Sequence, residues 1–303
     1  MKIGLVTYYA PEIADIAQEV GFNSLELFVN PGTSLDLNHI TKEQVHKLVD
    51  ELQNRGLDIC SITCSVNHLE RDPQKRKQNQ DYFLQAIRMS KLFGTRLLTT
   101  NPWADPQSSP EENLKIFADS FLQYAQAAER EGVLIALENC PHYTPYPYQV
   151  GSIGYSPEMW DAMFEAVPSR AVGLEFDPSH LFWLGIDIPK AIRDYGERIF
   201  AFHAKDCEID RDALQRYGII GRQFGTKNKW DMGWWRYRIP GLGQISWKEV
   251  VKALLDIGYQ GPIVIEHEDP VFCGAPSELG LTLGNKTKQG LRYGLNYLRR
   301  FPV

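Results

Sequence analysis

Short apolar runs alternate along the chain with longer segments whose apolar positions recur every three or four residues. The first pattern predicts β-strands and the second predicts amphipathic helices. The predicted strands lie near residues 2–7, 24–29, 57–63, 96–100, 133–138, 172–177, 199–204 and 262–266. The predicted helices lie at 41–55, 75–93, 110–131, 156–167, 188–195, 246–257 and 278–300, with a short one near 12–20. Eight strand–helix units without a break in composition favour one (β/α)8 TIM barrel over residues 1–303 rather than a doubly wound sheet.

Helix boundaries carry their own signals. Ser109-Pro110-Glu111-Glu112 places a capping residue, a proline at the first helical position and two acids in the first turn. Ser156-Pro157-Glu158 repeats this pattern, and glycines such as Gly132 follow the predicted helix ends. These signals support an α/β assignment with parallel strands.

One segment, residues 206–245, interrupts the regular alternation after the seventh predicted strand. It is too long for an ordinary strand-to-helix loop, and such segments are usually functional or disordered. Its aromatic and cationic content argues against disorder and predicts a lid or a subunit contact, with a plain surface insertion as the alternative. The residues concerned are Trp230, Trp234, Trp235, Arg236, Tyr237 and Arg238.

Composition and charge narrow the class of protein. The 303 residues are 43% hydrophobic and 23% charged, as in soluble globular proteins, and the net charge of −6 disfavours binding to nucleic acid. No segment approaches the ~20 apolar residues of a membrane span, and the N-terminal run is too short for a signal peptide. Cys60 and Cys64 lack a second pair that would complete a zinc site, so we interpret them as reduced thiols. We therefore expect a cytoplasmic protein.

Polar residues stand at the ends of four successive predicted strands. Because carboxyl ends of parallel strands meet at one face of a barrel, these side chains should converge there. Three converging carboxylates would repel one another, and a divalent cation would remove that conflict. Three oxygens and one nitrogen suit Mn²⁺, Mg²⁺ or Co²⁺ better than a thiolate-preferring metal. The predicted ligands are Glu138, Asp177, His203 and Glu266; the alternative is that each acid caps a helix or pairs with Arg or Lys.

Five motifs carry a resemblance that spans essentially the whole chain. They are Leu137-Glu138-Asn139-Cys140-Pro141, Phe176-Asp177-Pro178-Ser179-His180, Phe202-His203-Ala204-Lys205-Asp206, Pro240-Gly241-Leu242-Gly243-Gln244-Ile245-Ser246-Trp247 and Ile265-Glu266-His267-Glu268-Asp269. In these motifs the chain resembles the sugar-phosphate isomerase/epimerase family of xylose-isomerase-like TIM barrels. The Asp-x-x-His and His-x-Lys-Asp pairs are the more specific.

The resemblance implies roles for particular residues. Glu138, Asp177, His203 and Glu266 would bind one divalent metal, usually manganese, and the two glutamates would also act as the acid/base pair. His180 and an arginine after the seventh strand, Arg238 in this chain, would contact the sugar.

Such a site supports chemistry next to a carbonyl. A carboxylate removes the proton on the carbon beside the carbonyl, and the cation stabilises the resulting enediolate. Return of the proton to the same carbon gives epimerisation, whereas return to the neighbouring carbon gives isomerisation. The sequence therefore predicts a metal-dependent sugar isomerase or epimerase, whose partner is a small sugar or sugar derivative.

Three further residues are candidate substrate contacts. His142 follows Glu138 and is either an extra acid/base group or a simple loop histidine. His68 follows the third predicted strand and either lines the rim or lies elsewhere. Lys205 should point inward with His203, because residues two apart share a face of a strand.

Three other functions fit parts of the pattern. A proton taken beside a keto group can also expel a leaving group. The Glu266-His267-Glu268-Asp269-Pro270 motif and the Trp234-Trp235-Arg236-Tyr237-Arg238 insertion resemble those of relatives that act on 3-oxo-glycosides. This resemblance implies the main alternative, a 3-oxo-glycoside lyase, dehydratase or C-glycoside deglycosidase-type subunit. The AP-endonuclease branch needs more histidines, and the fourth strand end, Thr99-Thr100-Asn101-Pro102-Trp103, has none. A barrel that only binds sugar would not need both glutamates.

Two features stay open in the sequence. Gly241-Leu242-Gly243 either cradles a phosphate or makes a tight turn. The insertion and the C-terminal helix are the predicted contact surfaces of a homo-oligomer or of a small partner subunit.

Overall fold

The computed structural model describes residues 2–145, 148–225, 232–272 and 284–302. Its strands are β1 (Ile3–Thr7), β2 (Ser24–Phe28), β3 (Asp58–Thr63), β4 (Leu97–Thr100), β5 (Leu134–Glu138), β6 (Tyr143–Pro145), β7 (Tyr148–Val150), β8 (Val172–Phe176), β9 (Ile199–Ala204), β10 (Asp206–Ile209), β11 (Trp235–Arg238) and β12 (Ile263–Ile265). Its helices are α1 (Pro11–Val20), α2 (Lys42–Asn54), α3 (Pro73–Met89), α4 (Pro110–Glu131), α5 (Pro157–Ala166), α6 (Pro178–Leu184), α7 (Ile188–Asp194), α8 (Arg211–Tyr217), α9 (Trp247–Asp256) and α10 (Asn285–Leu298). Short 3₁₀ helices cover Ser90–Phe93 and Gly196–Arg198.

Eight parallel strands close into a barrel in the order β1-β12-β9-β8-β5-β4-β3-β2. Closure is direct, because β1 pairs in parallel with both β2 and β12. The predicted TIM barrel is confirmed, and all eight predicted strands agree with the barrel strands to within one or two residues. The consequence for function is that β5, β8, β9 and β12 are consecutive neighbours, so their carboxyl ends share one part of the rim.

Local signals explain why the helix boundaries could be read so closely. The Ser109 side chain accepts a hydrogen bond from the backbone N–H of Glu112, and the Glu112 carboxylate accepts one from the backbone of Ser109. Gly132 ends α4 in the left-handed region with φ of 61°, where a side chain would be strained. Ser156 differs: α5 also begins at a proline, but Ser156 makes no side-chain cap.

Several short elements were not predicted. They are α6, the hairpin of β6 and β7, and the elements within the insertion, all too short to show a clear period. The predicted helix 278–300 corresponds to α10, and the predicted residues 278–283 lie outside the described residues.

The described part of the insertion, residues 206–225 and 232–245, contains an antiparallel two-stranded ribbon of β10 and β11, and α8. Aromatic side chains of β11 pack on elements at the rim of the barrel. Trp235 stacks on Trp183 of α6 with ring centroids 4.8 Å apart and planes 8° from parallel, and Tyr143 meets Trp235 edge-on. Trp234 and Trp235 are buried, whereas Trp230 lies outside the described residues. The ribbon is thus held against the rim by aromatic contacts.

The glycine-rich turn after the ribbon is tied to one carboxylate. Asp206 Oδ2 accepts hydrogen bonds from the backbone N–H groups of Gly241 and Gly243 at 2.9 and 3.2 Å, and from the indole of Trp247 at 2.9 Å. A Cβ on Gly243 would lie 2.2 Å from Asp206 Oδ1, so glycine is required there. Because these N–H groups are already paired, the tight-turn alternative fits and a phosphate cradle does not.

The helices and the cysteines among the described residues bear on the class of protein. None of their helices combines the length and the apolar character that crossing a bilayer requires. Among these residues four cysteines have free thiols, namely Cys60, Cys64, Cys140 and Cys207.

Candidate active site

Four side chains from consecutive barrel strands meet at the carboxyl end of the barrel. Glu138 is the last residue of β5, Asp177 and Glu266 directly follow β8 and β12, and His203 lies near the end of β9. One ligand atom from each lies within 4.8 Å of the others. We call this set the carboxylate–histidine group. The predicted convergence is therefore present in the structure.

Asp177 is held in place as a helix cap. Its Oδ1 accepts hydrogen bonds from the backbone N–H and the hydroxyl of Ser179 at 2.8 and 2.7 Å, at the start of α6. Its backbone is fixed by the Asn139 amide, which donates to Asp177 O and accepts from Asp177 N. Oδ2 is buried and makes no hydrogen bond within the described residues. One oxygen thus caps the helix while the other faces the group.

His203 stands between two pairs of glutamates. Nδ1 lies 3.4 Å from Glu138 Oε1 and 3.4 Å from Glu266 Oε2, whereas Nε2 lies 3.1 Å from Glu175 Oε1 and 3.5 Å from Glu26 Oε1. Glu26 and Glu175 are buried inside the barrel. Both contact the ring at Nε2, so Nδ1 is the nitrogen turned toward the carboxylate–histidine group. Carboxylates behind a ligating histidine commonly orient it in this way.

The donor set fits a divalent cation. Ligands on opposite sides of an ion at ~2.1 Å would be ~4.2 Å apart, so four ligand atoms that all lie within 4.8 Å of one another can surround one ion. Asp177 Oδ2 and His203 Nδ1 are buried atoms without a hydrogen bond in the described residues. Atoms that coordinate a metal ion show this environment when the ion is left out. Three oxygens and one nitrogen suit hard to borderline cations.

Lys205 supplies the positive charge on one side. Its buried Nζ donates to Glu266 Oε2 and, at 2.9 Å, to Glu268 Oε2, and it lies 3.1 Å from Asp177 Oδ2. Burial favours the neutral form, yet the charge of Asp177 raises the pKa of Lys205 well above its usual value. Likewise, burial opposes ionisation of Glu266, but the Lys205 charge lowers the pKa of Glu266 to about 2. The pair is therefore fully ionised at neutral pH.

Glu138 is stabilised differently. Burial would raise its pKa, but the imidazoles of His180 and His203 hold the pKa of Glu138 well below the usual value. Asn101 Nδ2 also donates to Glu138 Oε2 at 2.6 Å. The hydroxyl of Ser65 donates to Asn101 Oδ1, which fixes the amide so that its N–H groups face Glu138.

His180 connects the site to the insertion. Its Nε2 lies 3.3 Å from Asp177 Oδ2 and 3.6 Å from Glu138 Oε1, and its Nδ1 is hydrogen-bonded to the hydroxyl of Tyr237 at 2.8 Å. The Tyr237 ring also packs over Lys205 Nζ at 4.4 Å. One tyrosine of the ribbon therefore contacts two cationic residues of the site.

Residues 14–301 match the family model described as the xylose isomerase-like TIM barrel. The chain belongs to this family. The match confirms the family that its motifs resemble.

Two curated proteins are similar in sequence to this xylose isomerase-like chain. The protein YfiH of Bacillus subtilis is 26% identical over 292 residues, covering 85% of this chain and 88% of YfiH. An inosose dehydratase of Clostridium perfringens is 24% identical over 177 residues, covering 56% of this chain and 52%, about half, of that enzyme.

Three solved structures have a similar fold. The IOLI protein with a bound zinc atom has a TM-score of 0.71 and 18% identity and covers 100% of both chains. D-psicose 3-epimerase of Clostridium cellulolyticum H10 has a TM-score of 0.70 and 17% identity, covering 99% of each chain. The 3-keto-D-glucoside 4-epimerase YcjR of E. coli has a TM-score of 0.70 and 17% identity, covering 99% of this chain and 100% of YcjR. These identities show the fold alone. The named activities are those of sugar-modifying enzymes, which agrees with the prediction of an enzyme.

Two predicted substrate contacts lie elsewhere in this xylose isomerase-like barrel. His68 is fully buried, bonded to Thr100 Oγ1 at 2.8 Å and to Tyr124 OH at 3.2 Å, and packed against Phe83 and other rings. Burial lowers the pKa of His68 to about 3, so it is a neutral core histidine and does not line the rim as expected. Arg238 is paired with Glu208 and with Asp269, whose Oδ2 lies 2.9 Å from its Nε, and no contact described in the structure joins it to the carboxylate–histidine group.

The other second-rank residues are near the group. Lys205 and His180 contact it directly, and His142 lies beside Glu138 and Cys140 with ligand atoms within 4.8 Å. Burial would raise the pKa of Cys140, but the neighbouring His142 and His180 lower it to about 7.

Sequence reasoning missed five residues that shape the site. They are Glu26, Glu175, Asn101, Tyr237 in its contact with His180, and Glu268 as the partner of Lys205. The signal for two of them was present: Glu26 and Glu175 are acids in the middle of apolar strands, and Glu175 shares a strand face with Asp177. The positions of Asn101, Tyr237 and Glu268 in the site depend on loop geometry, which the sequence pattern does not show.

Proposed function

We propose that the protein is a divalent-metal-dependent isomerase or epimerase of a keto sugar, acting by proton abstraction next to a carbonyl. The observation that supports this most is that two ionised glutamates, Glu138 and Glu266, each place a carboxylate oxygen 3.4 Å from His203 Nδ1. Two carboxylates close to one point provide one group to remove a proton from a substrate and a second group to return it.

The residues divide into three roles in this proposal. Glu138, Asp177, His203 and Glu266 would hold the cation, with Mn²⁺ as the proposed ion and Mg²⁺ or Co²⁺ as alternatives. When bound, the cation supplies Lewis-acid polarisation of the substrate oxygens. Glu138 and Glu266 would accept and donate the proton, and their lowered pKa values keep both carboxylates unprotonated at neutral pH, the form that a base requires.

Lys205 and His180 would position the substrate. Both present N–H donors at the wall of the group, and burial excludes water from them. Lys205 Nζ already faces three carboxylates, so it would bind a sugar hydroxyl or a developing negative charge by exchanging one of these contacts. His142 is a further proposed contact, because it lies next to Glu138. Arg238 would contact substrate only by leaving Glu208 or Asp269.

The alternative is elimination at the same site, in a 3-oxo-glycoside lyase, dehydratase or C-glycoside deglycosidase-type subunit. Proton abstraction beside a keto group is common to both reactions, and only the fate of the carbanion differs. The similarity to an inosose dehydratase supports keeping this candidate, and the fold shared with a 3-keto-D-glucoside 4-epimerase supports a 3-oxo-glycoside as substrate for either reaction. The aromatic ribbon beside His180 offers a surface for a larger, glycosidic substrate.

Exchange of substrate protons for solvent deuterium tests the shared step. Protein supplied with Mn²⁺ should exchange a C–H proton beside the carbonyl of a free ketose, a 3-oxo-glucoside or an inosose, as followed by NMR. Glu138→Gln and Glu266→Gln should each reduce exchange by about 10²–10⁴-fold. Glu12→Gln, an exposed change on α1, is the control.

The products then separate the candidates. A new ketose or epimer supports the isomerase, whereas loss of water or of an aglycone supports elimination. Absence of metal-dependent exchange with every substrate would refute both and would favour a barrel that only binds sugar. Assembly through the insertion or α10, and a cytoplasmic location, stay predictions.

A further inference from the structure

A second cluster of metal-ligating side chains lies beside the carboxylate–histidine group. One ligand atom from each of Glu138, Cys140 and His142 lies within 4.8 Å of the other two. These residues come from the end of β5 and the loop that follows it. The cluster therefore shares Glu138 with the carboxylate–histidine group but offers different chemistry, because it contains a thiol.

The loop fixes His142 in an unusual conformation. His142 has a φ of 45°, which non-glycine residues seldom adopt. Its ring stacks on Trp103 with centroids 4.2 Å apart. The N–H of Gly151 is directed at the carbonyls of Pro141 and His142, and a Cβ on Gly151 would lie 2.8 Å from His142 O. The backbone and the ring are thus both held by neighbouring elements.

One ring nitrogen of His142 is buried and unpaired. This atom, Nε2, makes no hydrogen bond within the described residues. A strained backbone that places an imidazole within 4.8 Å of a thiol and a carboxylate, with one buried ring nitrogen unpaired, is unusual for a purely structural loop. The same geometry is what a ligand residue needs before an ion binds.

We propose that Glu138, Cys140 and His142 form a second cation site, for a thiolate-preferring divalent ion such as Zn²⁺. Thiolate, imidazole and carboxylate are the ligands of zinc, and three protein ligands leave its fourth position open. Binding releases the thiol proton of Cys140 to solvent. The three oxygens of the carboxylate–histidine group select harder ions, so the two sites differ in the ions they prefer.

Sharing Glu138 gives the second site a consequence, which depends on the proposed function. An ion bound by Cys140 and His142 engages an oxygen of Glu138 and so withdraws that carboxylate from proton transfer. Excess Zn²⁺ should therefore inhibit the Mn²⁺-supplied protein, and Cys140→Ser should relieve the inhibition.

Cobalt titration of the metal-free, fully reduced full-length chain tests binding without any activity measurement. We expect two equivalents of Co²⁺ to bind, one of them producing a thiolate-to-cobalt charge-transfer band in the near ultraviolet. Cys140→Ser should bind one equivalent and lose the band, whereas Cys60→Ser, which alters a thiol bonded to Leu25 O, should keep it. His142→Ala should weaken the band-producing equivalent by at least about tenfold and serves if Cys140→Ser fails to fold.

Asp177→Asn separates the two sites, since Asp177 belongs only to the carboxylate–histidine group. It should lose the equivalent without the band and retain the other. A thiolate band without any second equivalent in the wild type would refute the carboxylate–histidine metal site while supporting this one. One equivalent without a thiolate band, or a band that persists in Cys140→Ser, would overturn the second site.

Discussion

Glu138 and Glu266 are the same residue type at two strand ends, yet the protein keeps them ionised by different means. Glu138 is surrounded by imidazoles and an amide, and its side chain is 12% exposed. Glu266 is paired with the ammonium group of Lys205, and its side chain is 20% exposed. On one side, neutral or titratable donors stabilise the carboxylate. On the other, a buried fixed charge does so.

The difference has an energetic consequence. Removing a hydrogen bond to a charged group costs ~1.5–3 kcal/mol, whereas removing one partner of a buried ion pair costs ~3–5 kcal/mol because the remaining charge is left uncompensated. Lys205 faces three carboxylates at once, so the Glu266 side depends mainly on this residue, with His203 Nδ1 as a second partner of Glu266 at 3.4 Å. The Glu138 side distributes the same task over several donors and should tolerate the loss of any one.

The largest effect should follow from Lys205→Met, which keeps the side-chain length and removes the charge. The metal-free protein should lose ~3–5 kcal/mol in its free energy of unfolding, because Asp177, Glu266 and Glu268 then repel one another. Urea unfolding at pH 7 measures the loss. Lys190→Met, which breaks an exposed pair with Asp194, is the control and should leave stability nearly unchanged. An equally small effect for Lys205→Met would show that this side is not held by charge.

The penalty of Lys205→Met should also depend on pH. The pKa of Glu266 in the folded protein is about 2, below its ordinary value of ~4.3. A lowered carboxyl pKa contributes stability above ~pH 4.3, and this contribution is lost as the pH falls through about 2. The difference between wild type and variant should therefore be largest at pH 7 and smaller at pH 3. A difference that does not change with pH would contradict the charge pairing.

A smaller effect is expected from Asn101→Ala on the Glu138 side. The variant loses the 2.6 Å hydrogen bond to Glu138 Oε2, which should reduce kcat/KM for proton exchange by about 10–100-fold, in line with ~1.5–3 kcal/mol. Because the two histidines remain, stability should change less than in Lys205→Met. Asn79→Ala on α3, which removes a hydrogen bond to Asn67 O in the loop after β3, is the matched control. Unchanged exchange kinetics would show that the amide does not tune Glu138.

Much of this arrangement could be predicted from the sequence because it depends on periodicity. Residues at the ends of neighbouring parallel strands must converge, so the meeting of Glu138, Asp177, His203 and Glu266 followed from strand assignment alone. Lys205 followed from its spacing to His203. These inferences need no knowledge of loops.

The remainder depends on contacts that periodicity does not encode. His68 follows a strand, as a rim residue would, but its ring turns into the layer between β-strands and helices to meet Thr100 and Tyr124. Asn101 faces Glu138 only because Ser65, 36 residues away, holds its amide. Tyr237 reaches His180 through the pairing of β10 with β11, two short strands with a helix between them. Such positions are set by tertiary packing.

The smallest effect should come from Tyr237→Phe, which tests how far the insertion takes part in the site. The variant loses the 2.8 Å hydrogen bond to His180 Nδ1 but keeps the ring over Lys205 and against Trp235. Loss of about 1 kcal/mol corresponds to a roughly fivefold lower kcat/KM. Tyr195→Phe, which breaks a hydrogen bond to Asp161 on the outer helices, is the control and should not change exchange kinetics. His180 lies on the Glu138 side. A loss of ~3–5 kcal/mol in Tyr237→Phe, the size expected for Lys205→Met, would therefore mean that this side also depends on one contact.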